Sequence, residues 1–517
     1  MTGREKPVKI YTGSNLVLKR YLTLLYGFAL GLALILGILA IIQRGRATPD
    51  AAAITQVGSL TETASPTLDS TQVHSITKPT ALPAIPPTPN IETPSSLGVT
   101  TTELNGEQVN LWYPWTGSTG AAFQTMLDEF SRTNQWGITV QASAFEGFGS
   151  LDDAVEAGLT SKTFPDVLVD YGYQAQHWDG SGVVADLIPY VNDPVWGLTE
   201  IEQDDFYPEF WAEDLVKTGS PNQTRRLGIP FYRSAYVLFY NQSWARELGY
   251  LTAPATPQEF RTQTCAAARA TAVLDDKPAL SRGGWLVTPQ PGAFVGWIYA
   301  LGGGISKPDS SGYLFNTSET RQAFEYLKGL QESGCAWSET DVNPQSEFAS
   351  RGALFVAGSL FDLAAQQEAF AQADNTDEWT VIPYPSNRQA VVDTYGPSLM
   401  ITQSTPAQQL AAWLVVKWLV YPPNLTEWIQ RSETYPTRQS IMSYLSETPN
   451  ESSQWAEALK LLPFAKNEPS LASWRVMRWA LNDAMNELMN PQLSADQIPA
   501  LLEKLDEVAE EIFTQVH

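Results

Sequence analysis

Residues 227–260 read LGIPFYRSAYVLFYNQSWARELGYLTAPATPQEF. Within them Val237, Leu238, Phe239 and Tyr240 form a β-branched and aromatic run of strand length. Asn241 ends the run, as a turn former whose side chain can bond its own backbone. Ahead of it, Gly228-Ile229-Pro230 predicts an extended segment, because proline disfavours helix in the residue before it. Phe231, Tyr232, Arg233 and Tyr236 then set rings and a guanidinium side by side. Those are side chains that grip a polar organic ligand.

Three pieces of this stretch recur in a fixed order: Gly228-Ile229-Pro230-Phe231, the strand end Tyr240-Asn241, and the helix start Pro254-Ala255-Thr256-Pro257-Gln258-Glu259-Phe260. Their order and spacing resemble the family 1 extracellular solute-binding proteins, the receptors of carbohydrate-type ABC importers. The resemblance extends along the chain, through VNLWYPWTG from Val109, FPDVLVD from Phe164, GVVADLIPYV from Gly182, and Phe294-Val295-Gly296-Trp297 with Gly302-Gly303-Gly304. It continues with Phe348-Ala349-Ser350-Arg351-Gly352-Ala353-Leu354, Tyr395-Gly396-Pro397-Ser398 and Tyr435-Pro436-Thr437-Arg438.

Outward from this core, the chain of 517 residues exceeds one ordinary domain. Residues 21–42 (YLTLLYGFALGLALILGILAII) carry no charge and span roughly 30 Å as a helix. This is longer than a signal-peptide core, and Gln43-Arg44-Gly45-Arg46 follows where a small-residue cleavage site would stand. Arg4, Lys6, Lys9, Lys19 and Arg20 precede the span, so residues 1–20 are expected as a cytoplasmic stub, 21–42 as an uncleaved anchor, and everything downstream as exported. Residues 43–105, rich in Thr, Pro, Ser and Ala, cannot bury enough apolar surface to order themselves and read as a flexible stalk.

The net charge of −24 argues against nucleic acid and against an anionic membrane face. With 17 Trp and 20 Tyr the chain is aromatic-rich, and sugar stacking competes with core packing as the use of those rings. Cys265 and Cys335 are the only cysteines, and in an exported domain one disulfide is the simplest reading, with two buried thiols as the other. His177 is the only histidine between the stalk and the terminal His517, which leaves a histidine-based triad or metal site almost nothing to work with. Asp152-Asp153 and Asp204-Asp205 suit solvated helix faces better than a glycosidase pair. No G-x-x-x-x-G-K-[ST] loop marks an ATPase.

Strand, helix and strand alternate from Val109 onward, which predicts a mainly parallel sheet with ligands beyond strand ends. The resemblance implies an α/β, two-lobed periplasmic-binding-protein type II (venus-flytrap) fold after the single transmembrane helix. The chain would cross between lobes near 228–232, 355–359 and 392–396. The first lobe would take 106–229 plus 358–395, and the second 230–357 plus 396–517. The candidate ligand residues are Trp115, Tyr171, Gln174, Tyr232, Arg233, Trp285, Trp297, Ser359, Gly396 and Arg438. Against each stands a structural role: a core ring for the aromatics, hinge geometry for Ser359 and Gly396, a carboxylate partner for Arg438.

The last third is nearest the glycerol-3-phosphate and glycerophosphodiester branch. Two of that branch's positions are changed here, to Gly172 after Tyr171 and to Asn467 ahead of Arg475. The expected protein is a cell-membrane-tethered, monomeric receptor without cofactor. It passes a sugar, oligosaccharide or glycerol-derived solute to ABC permease subunits. A tethered carbohydrate sensor without a transport partner is the other reading.

Overall fold

The computed structural model describes residues 95–217, 224–274, 282–288, 290–338, 342–446 and 453–516. The described residues fall within one compact unit, and the expected stub, anchor and most of the stalk lie outside them. Among the described residues no helix is long and apolar enough to cross a membrane.

The first sheet has the order Thr139–Ala144, Gln108–Tyr113, Val167–Tyr171, Pro397–Ile401, Ile229–Pro230. Its first three strands run parallel, and Pro397–Ile401 enters antiparallel to Val167–Tyr171. Helix Gly117–Thr133 packs its Phe123, Met126, Leu127 and Phe130 stripe inward.

The second sheet centres on Tyr232–Asn241, a strand buried along its whole length. Burial on both faces accounts for its continuous apolar and aromatic run. Ala353–Ser359 pairs with it along one stretch. Trp379–Ile382, Val392–Tyr395 and Tyr435–Pro436 pair with it elsewhere, all antiparallel.

The chain passes from the first sheet to the second at Phe231, between Pro230, paired with Ser398, and Tyr232, paired with Pro436. It returns at Gly396, between Tyr395 on Ser234 and Pro397 on Tyr171. Phe355–Ser359 is no crossing. After it come the turn Leu360–Asp362 and helix Leu363–Gln372, and then Trp379–Ile382 and Val392–Tyr395 rejoin the same sheet. Residues 358–395 therefore build the second lobe, not the first. Pro397–Ile401 and helix Pro406–Leu419 pack with the first, where Trp413 Nε1 donates to the Trp196 carbonyl at 2.9 Å. A strand's apolar pattern fixes its period but not which sheet completes its ladder.

The stalk expectation ends too late as well. Ser95 and Ser96 bond the Asp193 carboxylate at 3.0, 2.7 and 2.9 Å, and Leu104 is fully buried. A disulfide joins Cys265, on helix Pro257–Leu274, to Cys335 beside Ala336–Trp337.

Candidate ligand cleft

The outward crossing runs through an aromatic cluster. Trp115, just past the strand Gln108–Tyr113, lies 4.8 Å from Trp428, 5.9 Å from Tyr232 and 5.2 Å from Phe123, centroid to centroid. Phe361, 45 % exposed, meets Tyr232 edge-on at 6.0 Å. Tyr232 itself is buried.

A second group of rings gathers where the two sheets approach. Tyr171, at the end of its strand, stacks on Tyr173 at 5.2 Å and lies 4.3 Å from Phe148. From the second sheet, Tyr236 stacks on Tyr395 at 4.9 Å. Tyr171 and Tyr395 meet across the sheets at 6.4 Å. Register explains the second pair: Tyr395 opposes Ser234, two residues from Tyr236, so both rings share a face. Burial pushes the phenols of Tyr171, Tyr236 and Tyr395 up, which keeps them neutral hydrogen-bonding groups.

Charged groups flank these rings. Asp393 opposes Tyr236 and shares that face. It is fully buried, and neither carboxylate oxygen has a hydrogen-bond partner among the described residues. Burial, then the neighbouring Glu468, hold its carboxyl well above the usual range. Arg478, from helix Trp474–Leu488, places its guanidinium 6.0 Å from the Tyr395 ring and 3.4 Å from Glu468. On the first lobe, burial and the adjacent Asp152 push the Asp170 carboxyl well up, which favours its protonated form. Among the described residues no group of three His, Cys, Asp or Glu could hold a metal ion.

The sequence-predicted residues divide clearly. Trp115, Tyr171, Tyr232, Ser359 and Gly396 gather at or beside the crossings. Ser359 caps the turn Leu360–Asp362, accepting from Phe361 N at 3.2 Å. Gly396 lets the two crossings touch, since a Cβ there would lie 2.3 Å from the Tyr232 carbonyl. Gly172 is likewise fixed by space, its Cβ position lying 2.9 Å from Asp214.

The other candidates do different work. Gln174 is buried on Asp152 at 2.8 Å. Trp285 and Trp297 are core rings, 5.5 Å apart and packed on Phe260. Arg438 is buried, bonding Asp205 at 2.7 Å and the carbonyls of Val420 and Glu202. Arg233 is fully buried, and all five of its N–H groups are taken. Nε and Nη2 reach Glu213 at 3.1 and 2.9 Å, Nη1 reaches the carbonyls of Tyr232 and Pro397 at 2.8 and 2.9 Å, and Nη2 adds Ser398 at 3.4 Å. Its guanidinium is thus spent inside the protein.

The sequence pattern names Tyr236 beside Tyr232 and Arg233 but gives no ligand role to Tyr173, Tyr395, Phe361 or Arg478. Strand period two from Tyr232 points to Tyr236, and Tyr395 directly precedes Gly396. Arg478 had no signal beyond its spacing from Arg475.

A family model for bacterial extracellular solute-binding proteins matches residues 125–458, and the chain belongs to that family. Its relatives are binding proteins, not enzymes. No curated protein matches it in sequence. Among solved structures, the cyclic alpha-maltosyl-1,6-maltose binding protein from Arthrobacter globiformis is similar at 19% identity and TM-score 0.65, over 79% of this chain and 99% of that one. The sugar-binding protein MalE from Xanthomonas citri shows 18% identity and TM-score 0.66, over 79% and 98%. UgpB from Mycobacterium tuberculosis, solved with glycerophosphocholine, shows 18% identity and TM-score 0.60, over 79% and 98%. At these identities the likeness is one of fold: two lobes of mixed α/β structure.

Proposed function

We propose that the chain captures an uncharged, hydroxyl-rich solute, a sugar or polyol, between its two lobes and delivers it to an ABC importer. The observation that carries this is the meeting of Tyr171 and Tyr395, from different sheets, with Tyr173 and Tyr236 stacked behind them. Phenols offer a ring face to apolar sugar faces and a hydroxyl to sugar hydroxyls. A solute touching both walls favours the shut arrangement, which is a population shift by differential contact.

Charge argues for a neutral solute. Arg233 and Arg438 are fully engaged, Arg475 faces Asp152 and Arg478 faces Glu468. Each of these four guanidiniums already has a carboxylate within 4 Å, which competes with a phosphate for it. In this reading Trp115 and Tyr171 belong to the solute-facing rim, with Tyr232 and Ser359 buried behind it. Residues 21–42 tether the receptor, with its binding unit on the extracytoplasmic side and permease subunits as its partners.

A thermal-shift series with sugars, polyols and glycerophosphodiesters tests the proposal, because ligand bound only to the folded state raises Tm. The expected result is a shift with a neutral sugar or polyol. A shift with phosphodiesters alone, or with nothing, would overturn it.

A further inference from the structure

We propose that Arg475 is a positioning residue that latches the two lobes together through the chain's own side chains, whether or not a solute is bound. The proposal rests on the solute-capture reading for the purpose of closure, and on contact geometry for the latch itself. Arg475 opens helix Trp474–Leu488, which packs on helices Pro291–Ala300 and Ile498–Val516 of the second lobe. Its Nε lies 3.1 Å from Asp152 Oδ2. Asp152 sits on helix Phe148–Ser161 of the first lobe, so this ion pair spans the lobes.

Its two ends differ in a telling way. The Asp152 side chain is 5 % exposed and held by Gln174, whereas Arg475 is 38 % exposed and reaches in from the opposite lobe. A carboxylate so buried gains from a cation that arrives only on closure. The same strip of the second lobe makes further bonds to the first. Gln176 donates to the Ser470 carbonyl and Oγ at 2.6 and 2.9 Å, Ser470 Oγ donates to the Glu213 carbonyl at 3.1 Å, and Asn467 donates to the Glu209 carbonyl at 3.0 Å.

Spin labels at the exposed positions Ala157→Cys and Asn486→Cys, one on each latch helix, report lobe separation with no solute added. Arg475→Gln should lengthen and broaden the distance distribution, Arg475→Glu should lengthen it further, and Arg475→Lys should stay near the wild type. Melting curves run in parallel distinguish opening from unfolding. An unchanged distribution in both the Gln and Glu variants overturns the latch. So does an equal change in Arg431→Gln, a surface pair on another helix. Because no solute enters this test, a failed ligand screen leaves its outcome intact, and a failed latch leaves solute capture standing.

Discussion

Arg233 Nη1 donates to the Pro397 carbonyl at 2.9 Å, so a residue just past the outward crossing is tied to the one that completes the return. Glu213 anchors the same guanidinium from the first lobe. Arg233→Ala would strand a buried carboxylate and two carbonyls, at a cost of about 3–5 kcal/mol. Urea denaturation should show that loss. Unchanged stability with selective loss of anion binding would return Arg233 to the solute.

The buried carboxyls make stability depend on pH with a definite sign. Burial, against the pull of Arg233, pushes Glu213 from 4.5 up to about 7. Asp170, Asp214 and Asp393 move the same way. Between the unfolded and folded values the native state holds more protons, so stability falls as pH climbs through 4.5 to about 7. Asp193 and Asp377 shift downward instead, and their contribution is already complete by about pH 5. The urea midpoint should therefore be higher at pH 5 than at pH 8. The reverse order would mean that these carboxyls are ionised in the folded protein.

Gly396→Ala sets a methyl group against the Tyr232 carbonyl at 2.3 Å. Either the crossings part or the backbone shifts, and about 1–3 kcal/mol should be lost. A calorimetric melt indistinguishable from wild type would show that the waist has slack.

Tyr395→Ala and Trp285→Ala separate site from core. The first should weaken solute binding by roughly tenfold. The second, from a ring 1 % exposed, should cost about 3–5 kcal/mol of stability and leave the remaining folded protein's affinity unchanged. Titration calorimetry paired with thermal melts checks both.

Reducing Cys265–Cys335 reopens a loop of 70 residues. The chain-entropy treatment assigns such a loop about 4 kcal/mol. Tm should fall in reductant, and an unchanged Tm would contradict that treatment here.

Local structure was legible in the sequence because it depends on local pattern. The buried strand through Val237–Tyr240, the helix carrying Phe123 and Phe130, and the turn at Asn241 each follow from neighbours a few residues away. The break at Phe231 and Gly396 showed through a proline and a glycine. What 358–395 pairs with did not show, since its partners lie more than a hundred residues earlier. Partners of site candidates were hidden for a related reason. A carboxylate for Arg438 was foreseen without being named, none was foreseen for Arg233, and only the fold brings Asp205 and Glu213 to them. Tyr171 and Tyr395 are far apart along the chain, and only the antiparallel entry of Pro397–Ile401 brings their rings to 6.4 Å, tilted by 38°.

That entry also bears on how the molecule is made. Val167 must wait for Ile401, more than two hundred residues later, before its sheet has a neighbour on that side. The first lobe's strands are thus synthesised well before their sheet can be completed. Such long-range closure is slow and leaves an unpaired strand edge open meanwhile.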